Sequence, residues 1–120
     1  MSSDHGPYII LKDIPFKAHS KDMGHQIIEY ADWSIGKFIN LASKHEWFAN
    51  TIFVFVADHG AIMGSDVYDM PLSYHHTPMI MYAPKILKPR FIQKFGGQID
   101  IFPTVMGILN LSYVNNTFGI

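Results

Sequence analysis

TIFVFVADHGA, residues 51–61, is the stretch that decides the fold. From residue 52 to residue 57 every side chain is apolar or small, and the run then ends on Asp58, His59 and Gly60. A short Val-, Ile- and Phe-rich run with no polar alternation reads as a strand covered on both faces, the type found in parallel sheets with helices on each side. In open α/β sheets, ligands bind at the carboxyl ends of strands, and Asp58 and His59 stand at such an end. Neighbours on an extended strand point to opposite faces. Gly60 lets the backbone turn at the exit, so that both side chains can address one site. A carboxylate and a neutral imidazole are a ligand pair for Zn²⁺ or Mn²⁺. Asp-His-Gly alone is a weak signal, because an Asp at a strand exit is commonly a turn former or a cap.

Upstream, Ser20 and Asp22 offer N-cap oxygens. Ile27, Ile28, Ala31, Ile35, Phe38, Ile39 and Ala42 then recur at three- and four-residue steps. That spacing predicts a helix to about residue 42 with one buried stripe. Gly36 costs helix stability and is expected to allow close packing. Residues 1–19 carry two prolines and no helical period, and read as a loop. Downstream, residues 60–77 read as a long polar loop. PMIMYAP (78–84) reads as a second buried strand closed by prolines. GGQIDIFPTVMGILNL (96–111) reads as a turn and a helix, with Asp100 as its cap and a proline tolerated in the first turn. Helix, strand, strand and helix joined by long loops predict an α/β fold.

Bulk composition narrows the function. A hydrophobic share of 48% against 16% charged residues suffices for a core and excludes a disordered chain. A net charge of −1 without basic runs excludes a nucleic-acid tract and a polybasic membrane patch. No cysteine is present, which excludes disulfides and thiolate metal sites. No apolar run is long enough to span a bilayer, and no signal peptide opens the chain. Seven histidines in 120 residues direct attention to metal or phosphate chemistry. His75 and His76 precede the second strand, and His76 can return to Asp58 if the two strands are neighbours. His5 precedes Gly6-Pro7. His19, His25 and His45 lie in or beside the first helix and receive no chemical role. Trp33 and Trp47 read as core or rim residues.

Five segments in order resemble the carboxyl-terminal part of the sulfatase-like branch of the alkaline phosphatase superfamily. SSDHGPY (2–8) looks like its Ser/Thr-x-x-His-x-Pro-Tyr/Phe loop, and YADWSIGKFI (30–39) like the helix that follows. ANTIFVFVADHG (49–60) looks like the strand with paired metal ligands. HHTPMIMYAP (75–84) looks like the His-x-Pro segment, and QIDIFPTVMGIL (98–109) like the Asp-x-x-Pro-Thr helix. The pattern is most similar to bacterial phosphoglycerol transferases and lipoteichoic acid synthases, with phosphoethanolamine transferases further off.

The resemblance implies an α/β/α sandwich with a mostly parallel central sheet. It makes Asp58 and His59 ligands of a catalytic Mn²⁺, Zn²⁺ or Mg²⁺. It also gives His5 a role at the substrate phosphate or leaving oxygen, and His76 a role at the phosphate or a second metal. His76 is chosen over His75 because it directly precedes Thr77-Pro78. Tyr30 and Asp32 match as packing and hydrogen-bonding residues. The family's nucleophile and a further acidic ligand come from an upstream segment, and no Ser or Thr here lies in a family nucleophile motif.

Residues 1–120 are therefore expected to be the carboxyl-terminal portion of a catalytic domain. The parent would be membrane-anchored and act at the outer face of a bacterial cytoplasmic membrane or in the periplasm. It would move a phosphoglycerol-type head group from a lipid through a covalent phospho-threonine. A sulfatase or phosphodiesterase on the same scaffold is the second reading, and a non-catalytic module the third. No nucleic-acid partner is expected, and the isolated chain is expected to self-associate and to be inactive alone.

Overall fold

Helix α1 spans Met23–Ala42 in the computed structural model, which describes residues 8–60, 75–116 and 118–119. Of the two candidate caps, Asp22 takes the role: its backbone is extended and its Oδ1 accepts the His25 N–H at 3.1 Å. That bond, and then the His25 ring at 2.9 Å, hold the Asp22 carboxyl below the usual carboxylate range. Past Ala42 a 3₁₀ turn, Glu46–Asn50, carries the chain into the first strand.

The chain forms two compact units, Met1–Lys88 and Pro89–Ile120. In the first, Ile27 and Ala42 are buried together with Phe48 and Ala83. The rest of the expected helical stripe is not: Ile28 is 65% exposed, and Ile35 and Phe38 lie open as well. Periodicity marks the side of a helix that wants cover, and does not say which polypeptide supplies it.

Gly36 also departs from expectation. Among the described residues a Cβ built there meets nothing within 4 Å, so the glycine serves no close approach to any of them. Gly36→Ala removes backbone freedom from the unfolded chain without a clash and is expected to stabilise α1 by about 0.5–1 kcal/mol. Thermal unfolding followed by circular dichroism should then show a midpoint rise of roughly 2–6 °C. A lower midpoint would mean that position 36 is packed.

Strands β1 (Phe53–Val56) and β2 (Met79–Tyr82) pair antiparallel, Phe53 opposite Tyr82 and Val56 opposite Met79. The sequence predicts a mostly parallel sheet, and the one described pair is antiparallel. An apolar run reports which faces want cover and not strand direction, and mixed α/β sheets commonly carry an antiparallel strand. The expected burial is corrected: no β1 residue is fully buried, and Met79, Ile80 and Tyr82 of β2 are exposed. Phe53, Phe55, Ile80 and Tyr82 share one face by alternation, while Val54, Val56, Met79 and Met81 share the other. Phe38 of α1 meets Phe53 edge-on at 5.9 Å, and Phe48 lies 5.2 Å from the same ring. The first face is thus the one that α1 and the 3₁₀ turn approach.

In the second unit a 3₁₀ turn, Gln98–Asp100, opens helix α2 (Ile101–Ile108). Asp100 stands at the N-cap position of α2 as expected, but its side chain closes the preceding 3₁₀ turn and not the helix, Oδ2 accepting the Gly97 N–H at 2.8 Å. Pro103 occupies the first turn of α2, where a missing N–H costs nothing, and is buried. Asn110, at φ 52°, ends the helix in the left-handed region while Leu111 N–H reaches back to the Met106 carbonyl. A Cβ on Gly119 would stand 2.1 Å from the Ile99 carbonyl oxygen, so only glycine permits that approach. Among the described residues no helix is long and apolar enough to cross a membrane.

Candidate metal centre

The exit of β1 carries Asp58 and His59, both exposed. The His59 N–H donates to Asp58 Oδ1 at 3.0 Å, which folds the carboxylate back over the turn. The His59 ring is fixed from its other side, Nδ1 lying 2.8 Å from the Gly60 carbonyl oxygen. A carbonyl only accepts, so Nδ1 carries the hydrogen. In the neutral ring the lone pair is then on Nε2. That Nε2 lies 3.9 Å from Asp58 Oδ2.

That separation is a few tenths of an ångström wider than the roughly 3.3–3.6 Å that a tetrahedral cation with bonds of about 2.0–2.2 Å sets between two ligands, a gap that a small side-chain rotation closes. A ring N–H given to a backbone carbonyl is also how metal-ligating histidines are oriented and made more basic. The pair therefore fits the divalent metal that the sequence implies. Among the described residues no group of three or more His, Asp or Glu side chains is disposed to hold an ion. Asp58 and His59 are thus at most part of a coordination shell.

His76 is exposed and lies three residues before β2. Because β1 and β2 are antiparallel neighbours, the exit of β1 and the entry to β2 fall at one end of the pair. Asp58, His59 and His76 are thereby brought to the same end, which meets the condition the sequence set for His76. His75 is exposed beside it. His5 and residues 61–74 of the intervening loop lie outside the described residues.

Tyr30 packs as expected, stacked on Trp33 at 6.0 Å and tilted against Phe16 at 5.3 Å. Trp47 is a rim residue, half-exposed and stacked on His45. One polar anchor went unread in the sequence. Glu29 accepts the backbone N–H groups of His19 at 2.7 Å and Ser20 at 3.0 Å, together with the Ser20 hydroxyl. Its only sequence signal is a carboxylate one turn or more past a loop rich in donors.

The family model for sulfatases matches residues 25–111, a span that includes all but the first two residues of α1, both strands, Asp58, His59, His76 and α2. The chain belongs to the sulfatase family. Relatives within it include an arylsulfatase of Clostridium perfringens, 30% identical over 101 residues, covering 78% of this chain and 21% of that protein. Arylsulfatase K of Gallus gallus is 25% identical over 92 residues, covering 73% of the chain and 17% of the relative. A solved structure of an alkaline phosphatase superfamily protein from Vibrio parahaemolyticus matches with a TM-score of 0.75 at 25% identity. It covers 92% of this chain and 27% of its own.

The sulfatase-family chain thus spans about a fifth of the curated relatives and about a quarter of the solved structure. Its α/β class stands, with the antiparallel strand pair as its described part of the sheet. Proteins of the sulfatase and alkaline phosphatase superfamily are generally metal-dependent, in keeping with the chemistry of the Asp58–His59 pair.

Proposed function

We propose that this sulfatase-family chain supplies the metal-binding strand end of an enzyme that cleaves an ester of a phosphorus or sulfur oxyanion. The observation that carries the proposal is the His59 ring, held by the Gly60 carbonyl with Nε2 turned toward Asp58 Oδ2. Asp58 and His59 would hold one divalent cation. When bound, such a cation stabilises a deprotonated nucleophile and the charge that builds on the oxyanion oxygens.

The chain's own residues do the rest of the positioning. The Asp58 carboxylate would help hold the cation at this solvent-open strand end. The Gly60 carbonyl fixes the His59 tautomer and removes a rotamer search from each binding event. His76, entering from β2, would donate a ring N–H to an oxygen of the anion. His5 would serve the substrate or give a proton to the leaving oxygen. Thr51 precedes β1, and Thr77 sits between His76 and a proline, so neither is offered as nucleophile.

The finer reading rests on the order of the five sequence motifs: a membrane-anchored parent, outside the cytoplasmic membrane, that transfers a phosphoglycerol-type head group from a lipid through a covalent phospho-threonine. Sulfate-ester hydrolysis is the second reading, favoured by the likeness to two arylsulfatases.

A polypeptide of family length that contains these 120 residues separates the readings. It would be assayed with an aryl sulfate, an aryl phosphodiester, and a glycerophospholipid with a polyol acceptor. Each assay would be run after chelation and after return of Mn²⁺, Zn²⁺ or Mg²⁺. Metal-dependent formation of a glycerophosphorylated acceptor is expected. Preference for the aryl sulfate would assign the hydrolase, and the absence of metal-dependent turnover on all three would overturn the proposal.

A further inference from the structure

The loop before α1 is strapped onto the helix by one side chain. Glu29 Oε2 accepts the His19 N–H at 2.7 Å, while Oε1 accepts the Ser20 N–H at 3.0 Å and the Ser20 hydroxyl. The Gln26 amide adds a bond to the Ser20 carbonyl at 2.9 Å. Four residues back, Phe16 packs against Tyr30 at 5.3 Å and Trp33 at 5.7 Å. Apolar contact thus holds one end of residues 16–20 and a carboxylate holds the other. Lys17, His19 and Asp32 line the same groove as Glu29.

We propose that Glu29 is a proton-operated latch that fastens residues 16–20 to α1. The ionised carboxylate accepts all three donors. Once protonated, the carboxyl loses its charge and one oxygen becomes a donor; the Ser20 hydroxyl can turn to accept from it, but the two backbone N–H groups are left with a weaker, neutral acceptor.

The Ser20 hydroxyl, the His19 N–H and the Ser20 N–H all favour the charged form, so the Glu29 carboxyl lies below its ordinary range. A depressed acid stabilises the closed strap above the unfolded value and loses that contribution as pH falls through the folded one. His19, with Nδ1 3.6 Å from Glu29 Oε2, strengthens the hold whenever it carries a proton. Lys17 favours the ionised latch, Asp32 opposes it, and His25, one turn back, is engaged by Asp22 at 2.9 Å. With the latch open, Phe16 keeps only its ring contacts, and the groove beside Trp33 opens to water.

Hydrogen exchange read by mass spectrometry on the 120-residue chain tests this, with rates corrected for intrinsic exchange at each pH. In Glu29→Gln, peptides covering His19 and Ser20 should exchange about tenfold faster or more, the loss expected for hydrogen bonds to a charged acceptor. Peptides within α1 should keep their protection. Wild type should approach the variant on acidification, and Ser20→Ala, which removes one donor, should show a smaller loss. Equal protection of residues 19–20 in wild type and Glu29→Gln would overturn the latch, as would wild-type protection independent of pH. If Glu29→Gln unfolds α1, Ser20→Ala and the wild-type pH series decide between the same two outcomes.

Discussion

Asp58→Ala in a catalytically competent polypeptide containing this chain is expected to lower kcat/KM about a thousandfold or more, with a matching loss of bound metal. That factor corresponds to about 4 kcal/mol of transition-state stabilisation. The expectation follows from geometry. Asp58 Oδ2 and His59 Nε2 stand 3.9 Å apart, close enough to share one ion. His59→Ala should therefore cost a similar factor. The double variant gives the sharper test. Residues that act as one unit lose most of their effect when either is removed, so the double should be scarcely worse than either single. Independent roles would instead multiply the two losses. Metal content measured on the same samples separates a lost ligand from a misfolded loop, since His76→Ala should lower turnover while leaving the metal in place. Full activity in Asp58→Ala would sink the metal assignment.

What could be read in the sequence depended on whether the information was local. Helix α1 was legible to within a residue or two, because Asp22 caps a neighbouring N–H and the three- and four-residue recurrence lies within one element. β1 and the turn before α2 were legible for the same reason. Strand direction was not, since nothing in FVFV or MIMY distinguishes an antiparallel partner from a parallel one. Burial was overestimated for Ile28, Ile35 and β2, because an apolar side chain states a requirement and not its fulfilment. The place of Asp58 and His59 at a strand exit was legible. The Gly60 carbonyl that orients His59 was not, because a backbone acceptor has no sequence signature. Glu29 was missed for a related reason: its donors lie nine and ten residues away, and two of them are backbone N–H groups. Ser20, one of the two N-cap oxygens the sequence offers, gives its hydroxyl to Glu29 instead.

Residues 1–120 expressed alone are expected to self-associate at micromolar concentration, as a distribution of sizes and not as one discrete dimer. The exposed stripe on α1 is Ile28, Ile35 and Phe38. Burying one such side chain fully yields about 1.5–3 kcal/mol. Micromolar association needs about 8 kcal/mol net, after roughly 4–15 kcal/mol is lost to rigid-body and side-chain ordering. Three side chains fall short of that. The stripe must act with other apolar surface, and the chain has several candidates: Val56, Met79 and Ile80 on the strand pair, and Phe91, Ile92 and Phe95 in the segment after it. Because these offer several comparable combinations, no single pairing dominates, and a strand edge left open among the described residues adds backbone pairing to each of them. Size-exclusion chromatography with light scattering should show masses above 13.7 kDa that rise with concentration. Ile28→Lys with Ile35→Lys should shift the distribution toward monomer without abolishing association. A monodisperse monomer across the micromolar range would show that the exposed apolar residues are too dispersed to act together.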